Sequence, residues 1–146
     1  MSKNNVTMAK DIFHEAAKKA LQKDGWTITH DPFLIPINAN GVYADLGAEK
    51  TLAAERETDL IVAEVKSFVG LSVVTDLYAA IGKYELYFQA LKKFFPDRKL
   101  YLALPEKGYK NLVKDPFFEE VLTNLNIKIF VFTTEKDKET IVKWIK

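Results

Sequence analysis

VYADLGAEKTLAAERETDLIVAEVKSF, residues 42–68, contains the stretch that decides the fold, Leu60-Ile61-Val62-Ala63-Glu64-Val65-Lys66. A run that is apolar at consecutive positions suits a strand covered on both faces, the interior strand of a helix-flanked sheet. Side chains alternate along a strand, so Glu64 and Lys66 project from the same side. Charges are costly to bury, and two of them at the end of an interior strand mark a place with a use. Asp45 closes a second apolar run, Val42-Tyr43-Ala44, which can lie beside the first. Together Asp45, Glu64 and Lys66 would form a site of two carboxylates and one ammonium at the edge of a hydrophobic sheet.

Outward from this stretch, the elements follow from periodicity and punctuation. Residues 1–7 are polar and patternless and read as a flexible N-terminus. Ala9, Ile12, Phe13, Ala16, Ala17, Ala20 and Leu21 recur at helical spacing, and Gly25 suits a C-terminal cap, which predicts a helix over 8–24. His14 and Glu15 fall at the flanks of its apolar stripe. Trp26–Thr29 reads as a strand and His30-Asp31-Pro32 as a turn, with His30 serving the turn. Phe33–Ile37, interrupted by prolines, reads as a packed loop or edge segment. Val42–Leu46 resumes a strand. Thr51–Glu55 and Leu60–Lys66 suggest a hairpin around Arg56–Asp59.

Ser72 is a suitable N-cap for the longest helix, 73–94, with Val74, Leu77, Tyr78, Ile81, Tyr84, Phe88, Leu91 and Phe95 along one side. Leu100–Leu104 is a buried-type strand stopped by Pro105. Asp115-Pro116 opens another helix, Ile127–Phe132 is a strand, and Thr140–Ile145 reads as a final edge strand. The order α–β–β–β–α–β–α–β–β, with no linker or repeat, predicts one α/β domain over 8–146 with a mixed sheet.

Composition narrows the function. A chain of 146 residues with 48% hydrophobic content can fill one core. The net charge of +1, from 21 basic and 20 acidic residues, is low for a protein that grips nucleic acid by bulk charge. The absence of cysteine excludes disulfides, thiolate metal sites and a cysteine nucleophile. No apolar run approaches the ~20 residues that span a bilayer, so a cytoplasmic protein is expected. Phosphate-cradling glycine loops, paired-histidine zinc motifs and a GxSxG elbow are also missing.

What remains is oxygen ligands and lysine. Carboxylates suit Mg²⁺ or Mn²⁺, and Mg²⁺ prefers one or two carboxylates together with water and substrate phosphate. An Asp…Glu-x-Lys arrangement can therefore support phosphodiester hydrolysis. The Glu-x-Lys tripeptide alone carries little information; its strand context and Asp45 give it meaning.

These residues carry a resemblance. Asp45 followed by Glu64-Val65-Lys66, between two helices, resembles the PD-(D/E)xK pattern of restriction-endonuclease-like nucleases. MAKDIFHEAAKKALQKDGWTITHDP, VYADLGAEK, VAEVKSF and AIGKYELY resemble the XisH family of fdxN element excision controlling factors, from Met8 to Trp144. The resemblance implies an αβββαβ nuclease core and a role in excising a DNA element in cyanobacteria. The partners it implies are DNA, a recombinase and a small accessory protein, and a homodimer is a further expectation.

It also implies roles for residues. Asp45 and Glu64 match the metal-binding acids, the Val65 carbonyl a further ligand, and Lys66 the base or charge stabiliser. Glu15 matches the first-helix acid that some nucleases of this fold add. Gly82-Lys83-Tyr84 stands where relatives often have Gly-Gln-Tyr, leaving Lys83 as a phosphate contact. Ala44 stands where the nuclease pattern often has proline. Two functions are expected, a metal-dependent nuclease or a catalytically inactive accessory protein for site-specific recombination.

Overall fold

Helix α1 runs Ser2–Lys23, six residues earlier at its start than the periodicity predicted. Its end is as expected: Gly25 adopts φ +95°, and the Trp26 N–H donates back to Leu21 O at 3.0 Å. Strand β1 (Thr27–His30) follows, then β2 (Phe33–Ile35) and β3 (Val42–Ala44), a two-stranded pair of their own. Next come β4 (Leu46–Leu52), β5 (Glu57–Val65) and α2 (Val73–Phe94). The chain finishes with β6 (Arg98–Pro105), α3 (Glu106–Val113), α4 (Pro116–Asn124), β7 (Ile129–Phe132) and β8 (Ile141–Ile145). This computed structural model describes residues 2–52 and 57–145, with side chains over 12–50 and 58–145.

Six strands form one mixed sheet in the order β1-β4-β5-β6-β7-β8. The β5–β6 and β6–β7 pairs are parallel and the others antiparallel. Parallel neighbours need crossovers, and α2 supplies one while α3 and α4 supply the other. Helices therefore cover both faces, which explains why the central strands read as unbroken apolar runs. Ile61, Ala63, Tyr101, Ala103, Phe130 and Phe132 pack toward α1, whose Ala16, Ala17 and Ala20 let it lie close. Val62, Leu100, Leu102, Leu104, Ile129 and Val131 face α2 and its neighbours. Tyr84 ties this second layer down: its hydroxyl donates to Leu100 O at 3.0 Å and accepts from Lys128 N–H at 3.1 Å.

Several local expectations need correction. The strand read over 42–46 breaks at Asp45, because β3 pairs with β2 whereas β4 pairs with β1 and β5. Leu46–Leu52 forms one strand, and Glu57–Asp59 belong to β5 rather than to a turn; Ala53–Arg56 lie outside the described residues. Of the two readings of Phe33–Ile37, packed loop or edge segment, the second fits: Phe33–Ile35 is a strand of the small two-stranded sheet. Its Phe33 ring folds over β4, where a Cβ on Gly47 would come within 2.8 Å of the ring. Helix α3 was not anticipated, since Pro105 was read as a terminator although it occupies the N-cap position with extended backbone. Helix α2 has the predicted bounds, and Ser72 Oγ accepts from Thr75 N–H at 3.2 Å. Its buried stripe is rotated: Leu77, Ala80, Tyr84, Tyr87 and Leu91 are inside, while Val74, Tyr78 and Phe88 are exposed. Counting alanines 80 and 90 as core positions would have turned the stripe correctly.

Candidate active site

The break at Asp45 creates the site. Leu46 pairs with Ala63, so Asp45, one residue earlier, arrives beside Glu64 as the chain leaves the sheet for β3. Each carboxylate then holds the other strand. Asp45 N–H donates to Glu64 Oε1 at 3.1 Å, and Val65 N–H donates to Asp45 Oδ2 at 2.7 Å. The second oxygen of each acid is left for a cation. Lys83 Nζ lies 3.0 Å from Glu64 Oε2, and His14 Nδ1 lies 3.4 Å from Asp45 Oδ1.

Glu64 is the one buried charged residue among the described residues, at 9% exposure. Val62 packs on the α2 face, and by alternation Glu64 shares that side. Lys66 follows just past the end of β5, its N–H donating to Ala103 O at 2.9 Å. Its ammonium lies 3.5 Å from Asp76 Oδ1 in the first turn of α2. Asp45, Glu64, Val65, Lys66 and Lys83 all line one open cleft of about 520 Å³, with His14 and Tyr43 at its walls.

Of the residues singled out from sequence, Asp45, Glu64, Lys66 and Lys83 come together, and Glu15 does not join them. Glu15 is exposed, and the first-helix side chains that reach the cleft are Phe13 and His14. One ligand atom from each of Glu15, His14 and Asp31 lies within 4.8 Å of the others. Lys18 Nζ already sits 2.8 Å from Asp31 Oδ2 there. Sequence reading also missed three supporting groups. His14 was read as a helix flank, yet its Nε2 is 2.7 Å from Asp31 Oδ1, making it a bridge between Asp31 and Asp45. Asp31 was read only as turn residue, and Asp76 carried no signal beyond its place in a helix first turn.

Electrostatics separate the two acids. Burial, then the neighbouring Asp45 charge, pushes the Glu64 carboxyl up to about 7, against the pull of Lys83. Burial also pushes Asp45 upward, but His14, the Val65 N–H and Glu64 together hold it below the ordinary carboxylate range. The Asp45 hydrogen bond, helped by Asp31, raises the His14 imidazole to about 9 against the opposing effect of burial. Near neutral pH Glu64 therefore carries a proton part of the time beside an ionised Asp45, and a bound cation would displace it.

A pH dependence follows for the metal-free protein. Glu64 would ordinarily titrate near 4.5, so its stabilising contribution is whole below that and is lost as pH rises through about 7. His14 acts in the same direction, from 6.5 to about 9. Asp45, shifted downward, weakens the fold only in stronger acid. The melting temperature should therefore fall between about pH 5 and about pH 8. Glu64→Gln should remove the part of the slope below neutrality, on the order of 2 kcal/mol. Calorimetry across that range checks it, and an unchanged slope in Glu64→Gln would place the titration elsewhere.

The family model described as XisH protein matches residues 7–142. The chain belongs to the XisH family. It is similar to a crystal structure of an fdxN element excision controlling factor protein from Anabaena variabilis, at 36% identity and a TM-score of 0.80. That match covers 93% of this chain and 99% of the other. An XisH family protein from Nostoc punctiforme PCC 73102 is 35% identical with a TM-score of 0.76, over 92% of this chain and 99% of that one. No curated protein matches the chain. No helix among the described residues is long and apolar enough to cross a membrane.

Proposed function

We propose that this XisH protein is an excision controlling factor whose Asp45–Glu64–Lys66 cleft is a divalent-metal-dependent site for hydrolysing DNA phosphodiesters. The observation that carries the reading is the reciprocal lock of Asp45 and Glu64, which presents one oxygen of each acid to the cleft lined by Lys66 and Lys83. The donor set fits Mg²⁺ or Mn²⁺: two hard carboxylates, and the Val65 carbonyl, which strand alternation turns to the same edge as the Val65 N–H. A bound ion of this kind supplies charge neutralisation at phosphate and a water acidic enough to attack near neutral pH. Asp45 and Glu64 would hold it, Lys83 would exchange Glu64 for a phosphate oxygen, and Lys66 would orient the water or stabilise the developing charge. With the separate β2–β3 pair set aside, the order α1, β1, β4, β5, α2, β6 can be laid on the αβββαβ order of restriction-endonuclease-like nucleases, a likeness that supports the reading. Under it the partners are DNA, a recombinase and a small accessory protein, with a homodimer as a further assembly, and the setting is the cytoplasm.

Metal should stabilise the fold through this site, because a cation relieves the repulsion between two close acids and binds only the native state. At a hundred times its dissociation constant the gain is about 2.7 kcal/mol, or roughly 5–10 °C in melting temperature for a chain of this size. The rise should appear in the parent and vanish in Asp45→Ala and Glu64→Ala. The same rise in all three would mean that the ion binds elsewhere. A second reading, a catalytically inactive accessory protein for site-specific recombination, draws on a different observation. Lys66, Lys83 and His14 are each already ion-paired within the protein, and the net charge is only +1. A parent that binds metal yet cuts no DNA, alone or with its partners, would establish it.

A further inference from the structure

Tyr43 is hard to explain as part of the fold. It lies on β3 between Val42 and Ala44, which pack into the core, so alternation turns its ring to the other side. There it is 60% exposed, next to the half-exposed Leu34 with which it is in register. Asp45 lies two residues further along, at the bend between β3 and β4, and both line the cleft. Phe13 and Val69 line it as well. One continuous cleft thus brings the charged groups of Asp45, Glu64, Lys66 and Lys83 together with the rings of Phe13 and Tyr43, of which Tyr43 touches solvent.

Duplex DNA is a poor match for these features. Its affinity comes from several lysines or arginines released to phosphates along a stripe. Here Lys18, Lys50 and Lys99, outside the cleft, each lie within 4.0 Å of a carboxylate, and the overall charge is near zero, so the cleft offers Lys66 and Lys83 rather than a long basic stripe. A cleft of about 520 Å³ has the size of a small-ligand pocket, comparable to one or two nucleotides rather than a double helix. Aromatic side chains offer what the charges do not, because every unpaired base has a face that can stack on them.

We propose that the cleft takes an unpaired nucleotide of a DNA single strand, as at a frayed or branched end, with the base against Tyr43 and the adjoining phosphate at the Lys66–Lys83 end. The inference rests on the phosphodiester reading above and gives it a substrate class. Tyr43 is the specificity-determining side chain and takes no part in the bond-breaking step.

Fluorescence anisotropy with labelled oligonucleotides in Ca²⁺, with the DNA checked intact on a gel, tests it in the full chain. The parent should bind a short single strand roughly tenfold or more tightly than a blunt duplex of the same sequence. Tyr43→Ala should lose roughly ten- to hundredfold of that affinity, and Tyr43→Phe should stay within about threefold of the parent. Melting should not change, since the ring is outside the core. Equal affinity for duplex and single strand, no binding of single strand, or unchanged binding in Tyr43→Ala each overturns it. The last result, combined with loss of a protein partner, would assign the ring to protein docking instead. The two readings fail separately. A parent that binds single strands through Tyr43 but cuts nothing in Mn²⁺ removes the nuclease and keeps the inference, whereas equally fast cutting of blunt duplex does the reverse.

Discussion

Lys66→Met is expected to lower metal-dependent DNA cleavage by roughly a hundredfold or more while leaving the fold and metal binding largely intact. Methionine keeps most of the apolar stem of lysine and loses only the ammonium. That ammonium is the cleft cation that does not pair with the two acids: Lys83 takes Glu64 and His14 takes Asp45, whereas Lys66 pairs with Asp76 of α2. It can therefore act on water or phosphate without competing for the metal's ligands. Asp45→Asn should also abolish cleavage, but by weakening metal binding. Excess Mn²⁺ should then partly rescue Asp45→Asn and should not rescue Lys66→Met. Single-turnover cleavage with both metals separates the two roles. Undiminished cleavage by Lys66→Met would point to another site or a contaminating nuclease.

How far the sequence revealed this arrangement depends on the range of each interaction. The apolar run at Leu60–Lys66 was legible because a strand covered on both faces needs an unbroken apolar sequence, and that property is local. Helix α2 was legible because Ser72 and a sustained 3.6-residue period set its bounds. The convergence of Glu64 and Lys66 followed from strand parity, and that of Asp45 from its place after an apolar run. The reason Asp45 works was not legible. Its carboxylate turns to Val65 because the chain switches sheets there, and nothing within five residues records that switch. His14 and Asp31 are likewise joined only by the packing of α1 against the β1 edge. Glu15, which matches the first-helix acid that some nucleases of this fold add, is turned outward by the same helical period that buries Ala16, Ala17 and Ala20.

The connection between β5 and α2 shows the same limit and makes the site depend on a helix that sequence reading missed. After Lys66 the chain passes through Phe68, fully buried and held at φ +52°, a conformation costly for a bulky side chain. Helix α3 holds this segment in place. Asn111 Nδ2 donates to Phe68 O at 3.2 Å, and Gly108 lies so close to Ser67 that an added Cβ would fall 1.7 Å from the Ser67 carbonyl oxygen.

Gly108→Ala should therefore be severely destabilising. The clash is with backbone, which cannot swing aside as a flexible side chain can, so the loss should reach about 3 kcal/mol or more, the upper end for overpacking. For a chain of this size that is roughly 10 °C in melting temperature. Whatever folded population survives should also cleave poorly, since moving Ser67 moves its neighbour Lys66. Gly82→Ala is the matched control: it adds the same methyl group on α2, where nothing lies within 4 Å. An alanine at such a helical position should stabilise by about 0.5–1 kcal/mol. Thermal denaturation of the two variants should thus move in opposite directions. If Gly108→Ala melts with the parent, α3 does not press on the Ser67 backbone and cannot be what sets the position of Lys66.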